Sequence, residues 1–162
     1  MATNDVTDPA AASDGRPARQ LPESKEQVRA RREELRSALV ALENVLSSPA
    51  GGRDPWVGRV ESTVRLMQST LEAHVEDTEA EDGMLAQIDE DAPGLQGRVE
   101  QLRGEHGHLL EQTRALLERC RQGQVEEVRD AALDLLQTVS RHRQRGTDLL
   151  WDAYMVDISA AD

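Results

Sequence analysis

The chain has no phenylalanine, one tyrosine and two tryptophans, so aromatic residues make up only 2% of its 162 residues. Aromatic and β-branched side chains are those that β-strands prefer, and their scarcity argues against a domain built on a sheet. Leu, Ala, Glu, Gln and Arg dominate instead, and all five are good helix formers. The composition therefore predicts an all-α protein with a single domain of ordinary size.

Cysteines and long apolar runs are also scarce. Cys120 is the single cysteine, which excludes an internal disulfide. No apolar run approaches the roughly 18 residues of a membrane-spanning helix, and the N-terminus lacks the apolar core of a secretory signal. The formal net charge of −12 repels phosphate backbones and anionic lipids. We therefore expect a cytoplasmic protein that binds neither nucleic acid nor membrane.

The chain divides into three parts by composition. Residues 1–21 mix Ala, Pro, Gly, Asp and Thr without periodicity, which predicts a disordered tail. Residues 22–157 carry the helical periodicity and form the predicted domain, and residues 158–162 form a short C-terminal tail.

Apolar residues at alternating spacings of three and four predict four amphipathic helices in that domain. The first covers about 22–46 and ends before SSPAGGRDP, where proline and two glycines break the pattern. Asp54 is the expected N-cap of the second helix and Pro55 its first helical residue. A short helical turn is expected at MLAQI, residues 84–88.

The third and fourth helices cover about 95–120 and 125–156 and are joined by a tight connection at Gly123. Short connections make neighbouring helices antiparallel, and the spacing of the apolar residues is typical of bundle packing. The prediction is an antiparallel up-down-up-down four-helix bundle, with Trp151 and Tyr154 closing one end.

Three of the four histidines occupy apolar-face positions, one on each of the last three helices. At about 1.5 Å of rise per residue, His106 lies roughly 26 Å before Gly123 and His142 roughly 29 Å after it. His74 lies roughly 29 Å beyond Pro55, measured from the same end of the bundle. We therefore expect the three imidazoles within about one helical turn of each other, with His108 on a different face.

Buried imidazoles need partners for their ring nitrogens, and two explanations remain open. Each histidine could bond a nearby acid or hydroxyl, or the three could bind a metal, since bundle cores build metal sites from facing helices. The acids near this level are Glu79, Glu105 and Asp148, none of which shares a histidine's face at the ideal three- or four-residue spacing.

Three segments with these histidines resemble the hemerythrin-like (HHE) domains: LEAHVEDTE (71–79), LRGEHGHLL (102–110) and LLQTVSRHRQRGTDLLWDAY (135–154). The resemblance covers about residues 23–157. It implies a helical bundle that holds two non-haem irons through histidines and bridging carboxylates. It also implies oxygen binding, oxygen or redox sensing, or the handling of iron and reactive nitrogen or oxygen species.

The chain departs from the family pattern at four expected ligand positions. The first helix has no histidine and carries Val28, Arg31 and Arg32 at the matching level, and Leu110 replaces a second histidine on the third helix. Thr78 and Thr147 replace two acids, and Glu79 and Asp148 each follow one residue later. Such a ligand set suits one iron ion, or none, better than two. The predicted site is His74, His106 and His142 with Glu79, Glu105 and Asp148 nearby.

Two main functions follow from these residues. The first is a hemerythrin-like protein whose non-haem iron binds or senses oxygen or a related small oxidant. The second is a metal-free bundle that acts by binding another protein through its acidic faces. An oxidoreductase using the same iron is a weaker third hypothesis, because nothing in the chain specifies a substrate.

Overall fold

A computed structural model describes the backbone of residues 22–155. Within this range the chain forms five α-helices, one 3₁₀ turn and no β-strand: α1 Pro22–Ser47, α2 Arg53–Glu79, α3 Met84–Asp91, the 3₁₀ turn Pro93–Leu95, α4 Gln96–Gln122 and α5 Val125–Met155. The all-α prediction is confirmed. The predicted tails at 1–21 and 158–162, and the predicted end of the last helix near residue 156, lie outside the described residues.

The start of α2 differs from the prediction. The helix begins at Arg53 with Gly52 as its N-cap, at φ 139°, and no side chain caps it. Glycine adopts such a positive φ without steric cost, so the chain enters the helix two residues earlier than the Asp-Pro pair suggests. The prediction that Asp54 is the N-cap is wrong. Asp54 instead lies in the first turn, where its carboxylate accepts a hydrogen bond of 2.6 Å from Arg53.

The four long helices pack around one another in a bundle-like arrangement. Helix α1 contacts α2 and α5, and α4 contacts the same two helices from the other side. Arg31, early in α1, pairs with Asp77 near the end of α2, and Trp56, early in α2, donates a hydrogen bond to the carbonyl of Val45. None of the described helices combines the length and apolar character needed to cross a lipid bilayer.

The apolar core of the described part is divided into two clusters. The larger one runs from the end that holds Trp56 to Leu71, Leu109 and Val139. The smaller one consists of six buried residues: Leu85, Ile88, Val99, Leu102, Leu149 and Ala153. Leu85 and Ile88 belong to α3, which continues three residues beyond the predicted turn at 84–88 and buries both side chains in this cluster.

Trp56 anchors the larger cluster. Its side chain is fully buried, and its indole Nε1 donates a 3.2 Å hydrogen bond to the carbonyl oxygen of Val45. The guanidinium carbon of Arg129 lies 4.6 Å from the ring centroid, and Arg129 also donates to the carbonyl oxygen of Leu46 at the end of α1. Trp151, by contrast, is 61% exposed, so the prediction that it closes the bundle is wrong, whereas Tyr154 is partly buried against the smaller cluster.

We expect Trp56→Phe to lower the free energy of unfolding by about 2 kcal/mol. The smaller ring leaves a cavity, loses the hydrogen bond to Val45 and weakens the contact with Arg129. Urea denaturation followed by far-UV circular dichroism measures the change. Trp151→Phe removes the same atoms from an exposed position and should change stability by less than about 0.5 kcal/mol. Equal effects of the two substitutions would contradict this assignment.

Candidate metal centre

Three helices bring the predicted histidines together between the two apolar clusters. The ring centroids of His74 (α2) and His106 (α4) are 5.3 Å apart, and those of His74 and His142 (α5) are 5.5 Å apart. The centroids of His106 and His142 are 4.8 Å apart. One ring nitrogen from each residue lies within 4.8 Å of the other two. The predicted convergence is confirmed, and His108 is exposed on another face of α4, as expected.

Carboxylates orient two of the three rings. Glu79 Oε1 lies 2.5 Å from Nδ1 of His106, and Glu105 Oε2 lies 2.9 Å from Nδ1 of His142. A carboxylate only accepts hydrogen bonds, so each Nδ1 carries the proton and donates it. In the neutral imidazole the lone pair is then on Nε2. Both rings are therefore held as lone-pair donors at Nε2.

His74 has no such carboxylate. Its Nε2 lies 3.3 Å from Nε2 of His142, and its buried Nδ1 has no hydrogen-bond partner among the described residues. Because Nε2 of His142 is an acceptor, the contact requires His74 to donate from Nε2. The lone pair on Nδ1 of His74 is then unused. If His74 instead carried its proton on Nδ1, its Nε2 would be an acceptor facing the acceptor Nε2 of His142, and the Nδ1 proton would have no described acceptor. The protein alone leaves one nitrogen of His74 unsatisfied.

Two of the rings are neutral at physiological pH. Burial lowers the pKa of His74 from 6.5 to about 3, and positive charge on His106, His142 or Arg32 would lower it further, against the attraction of Asp77. Burial also lowers the pKa of His142, although its hydrogen bond to Glu105 works in the opposite direction. Neutral imidazole is the form that binds metal ions, so no proton competes at these two positions.

Glu105 is held in its charged form. Burial acts to raise the pKa of this carboxyl group, but the hydrogen bonds from His142 and Gln101 and the charge of Arg145 outweigh it, so the pKa is lowered. Arg145 donates to Oε1 of Glu105, while Oε2 accepts from His142. The spacing of the histidines did not indicate this role for Arg145. The available signal was the basic run RHRQR around His142.

Helix α1 places positively charged residues beside His74, His106 and His142, which we call the histidine layer. Its inward face is apolar from Leu35 onward, but one turn earlier it carries Arg31 and Arg32. Arg31 pairs with Asp77 at 2.5 Å, and Arg32 donates to Oγ1 of Thr147. The prediction that α1 presents arginines and no histidine at this level agrees with these contacts.

The three predicted acids differ in whether they contact the histidines. Glu79 and Glu105 bond the outer Nδ1 atoms of the histidines, so they support the rings and are not gathered between them. Asp148 is exposed and accepts a 2.8 Å hydrogen bond from Gln144, and the structure does not bring it to the histidines. Thr78, at the expected position of an acid, donates a 2.7 Å hydrogen bond from its hydroxyl group to the carbonyl oxygen of His74.

The donor set suits a divalent transition metal. Imidazole nitrogens bind zinc, copper, iron and nickel, and three histidines leave a coordination position open in a four-coordinate site. Tetrahedral metal–nitrogen bonds of about 2.0–2.1 Å place two ligand nitrogens about 3.3 Å apart. The Nε2 atoms of His74 and His142 are 3.3 Å apart. Histidine ligands that donate their other nitrogen to a carboxylate are also typical of metal sites.

Comparisons of the chain with protein-family models, curated proteins and solved structures find no match.

The turn after α2 positions Glu79. Gly83 follows this turn, and a Cβ atom added there would lie 2.7 Å from the carbonyl oxygens of Asp77 and Thr78 and 2.9 Å from that of Ala80. Backbone atoms cannot move aside as a flexible side chain can, so only glycine fits. Gly83 thereby lets the chain fold back closely on the end of α2, next to the carboxylate that holds His106.

We expect Gly83→Ala to displace this turn and lower the free energy of unfolding by about 1–3 kcal/mol. The resonances of His106 should also shift in an NMR spectrum, because Glu79 moves with the turn. Gly94→Ala is the matched control, since a Cβ there meets nothing within 4 Å. Unchanged stability in Gly83→Ala would show that the turn relaxes freely.

We expect the stability of the protein to fall as the pH is lowered from about 6.5 towards 5. An unfolded histidine binds its proton near pH 6.5, whereas folded His74 binds it near pH 3, so the unfolded state holds more protons in between. The slope is up to about 1.4 kcal/mol per pH unit for each such histidine. Urea denaturation in a pH series measures it. His74→Leu should flatten the slope, and His108→Leu, at an exposed position, should leave it unchanged.

Proposed function

We propose that His74, His106 and His142 bind one divalent transition-metal ion. The observation that carries this proposal is the convergence of three imidazoles, each with one ring nitrogen within 4.8 Å of the others, two of them oriented by carboxylates at Nδ1. The Nε2 atoms of His74 and His142 face each other at 3.3 Å, and a metal ion between them would take both lone pairs, with the proton of His74 then on Nδ1. Glu79 and Glu105 would orient two of the ligands.

Iron is the ion that the hemerythrin-like resemblance implies, and we propose non-haem iron as the natural occupant. The antiparallel bundle belongs to the same proposal. It is supported by two contacts between α1 and α2: Arg31 to Asp77 at one end of the pair, and Val45 to Trp56 at the other. Among the described residues, three histidines with no carboxylate gathered between them favour one ion over the two-iron centre of the family pattern.

The proposed activity is the binding or sensing of a small ligand, with oxygen or a related oxidant as the expected class. A four-coordinate ion with three protein ligands has one position left for an exogenous molecule. The chain's own contribution is to keep His74 and His142 neutral, to orient the rings of His106 and His142, and to surround the three imidazoles with apolar side chains. No described residue near the histidines forms a nucleophile and base pair, so binding is favoured over catalysis.

A metal-free bundle that binds another protein is the second candidate. It is favoured by the hydrogen bonds that the histidines already make: both nitrogens of His142 and Nδ1 of His106 have partners within the protein. In this case the histidines form a polar layer that sets the register of the helices. The acidic outer faces, which give the chain its net charge of −12, would then carry the interaction.

Cobalt titration distinguishes the two candidates. After chelator treatment and desalting, we expect the full chain to bind one Co²⁺ with visible absorption bands of a four- or five-coordinate ion. His106→Ala should abolish the bands, because it removes one of three ligands. Glu79→Gln should weaken binding by roughly tenfold or more, because a ligand's supporting hydrogen bond changes. Elemental analysis of protein from iron-rich cultures then tests for iron.

His108→Ala is the matched control, since it removes an exposed histidine two residues from His106 on the same helix. It should bind Co²⁺ like the unaltered chain. Absence of stoichiometric binding in a protein with a helical circular dichroism spectrum would overturn the metal proposal and favour the metal-free bundle.

A further inference from the structure

A second group of charged residues lies on the seam between α1 and α5. Arg32 reaches from α1 to Oγ1 of Thr147, whose hydroxyl also donates a 3.0 Å hydrogen bond to the carbonyl oxygen of Arg143, one turn earlier in α5. Arg36 lies one turn after Arg32 on α1. Further along the seam, Arg129 contacts Leu46.

These contacts set the register of the two helices. Arg32 contacts Thr147, and Leu46, fourteen residues later in α1, contacts Arg129, eighteen residues earlier in α5. Higher residue numbers in α1 therefore lie level with lower residue numbers in α5. Arg36 is therefore level with Arg143. We call Arg32, Arg36 and Arg143 the arginine triangle.

The arginine triangle has few negative partners. Among the side chains of residues 26–154, no carboxylate forms an ion pair with Arg32 or Arg143, and Arg36 makes a single 3.5 Å pair with Glu33. Both members of that pair are more than 60% exposed, so the pair is weak. Burial and the charges of Arg32 and Arg36 lower the pKa of Arg143, against the attraction of Glu33. Glu33 is thus the one carboxylate, among these side chains, that pairs with a member of the arginine triangle, in a chain with 31 acidic residues.

We propose that the arginine triangle binds a small phosphate-bearing anion, with pyrophosphate as its simplest representative. Guanidinium groups present forked N–H donors that match phosphate oxygens, and such charge-assisted bonds are about twice as strong as neutral ones. A compact anion with several charges can contact all three arginines at once. None of the three histidines belongs to this site, so the inference does not rest on the proposed metal.

The charge of the whole chain restricts the ligand to a small molecule. A net charge of −12 repels an extended polyanion that would pass over neighbouring acidic surface. Screening limits such effects to about 8 Å at physiological salt, so a compact anion on the arginine triangle is affected mainly by the arginines themselves. Nucleic acids and acidic peptides are therefore disfavoured.

Isothermal titration calorimetry with pyrophosphate and with inorganic phosphate tests this proposal on the full metal-free chain. We expect saturable binding that is tighter for pyrophosphate, with acetate giving none. Arg143→Gln should raise the Kd by about tenfold. Glu33→Gln removes the competing carboxylate and should lower the Kd by about two- to fivefold. Circular dichroism checks that each variant is folded.

Arg36 has a close match elsewhere in the chain. Arg121 is 63% exposed and makes a 3.4 Å pair with Glu118, and Arg36 is 62% exposed with its 3.5 Å pair to Glu33. Arg36→Gln should weaken pyrophosphate binding, whereas Arg121→Gln should not, although both remove one exposed positive charge. This pair also keeps the test valid if Arg143→Gln fails to fold.

Three results would overturn the proposal. The first is the absence of saturable binding at millimolar pyrophosphate, and the second is equal weakening by Arg36→Gln and Arg121→Gln, which would indicate unspecific attraction. The third is loss of binding in His106→Ala with no effect of Arg36→Gln, which would place the anion at the histidines. Failure of cobalt binding has no bearing on these results, because no metal is present.

Discussion

The histidine layer depends on one constraint, which is that each buried imidazole nitrogen needs a partner. Carboxylates from α2 and α4 meet this need for His106 and His142, and they do so across helix boundaries. These bonds link α2 to α4 and α4 to α5 at one level, so they fix both the axial register of the helices and the tautomers of the rings. His74 is left with a nitrogen that the described part of the protein does not satisfy. The carboxylates thus complete the hydrogen-bond network of two rings and leave that of the third incomplete.

The histidine layer also organises the apolar core. Above and below it lie two separate clusters, and along α4 and α5 the change from one to the other occurs at His106 and His142. A leucine at these positions would join the two clusters without any requirement for register. A polar layer allows fewer arrangements, because a shift of one helix by a single residue would separate each imidazole from its carboxylate.

The sequence was sufficient to predict most of the fold and the convergence of the three histidines. Rise per residue is nearly constant in helices, so axial positions follow from counting once the turns are located. The partners of the rings could not be predicted in this way, because they depend on how each helix is rotated about its axis. Glu105 precedes His106 in the chain and yet bonds His142, while Glu79 of α2 bonds His106. The exact start of α2 depends on the positive φ of Gly52, and α3 packs two buried side chains against neighbouring helices. Neither feature can be read from the spacing of apolar residues.

The two ends of the bundle are held by different kinds of contact. At the end that contains Trp56, Arg53 donates to the carbonyl oxygen of Gly123 and Arg129 donates to that of Leu46, so arginines fasten the ends of α4 and α1. The histidines lie roughly 26–29 Å from this end, near the level of Arg32. Near the histidines α1 is held by the partly exposed side chains of Arg31 and Arg32, and such contacts are weaker than the buried packing around Trp56. Local opening begins where the contacts are weakest. Fraying of α1 from its N-terminal end would expose the imidazoles to solvent while the Trp56 end stays folded, so solutes could reach the buried layer without a permanent channel.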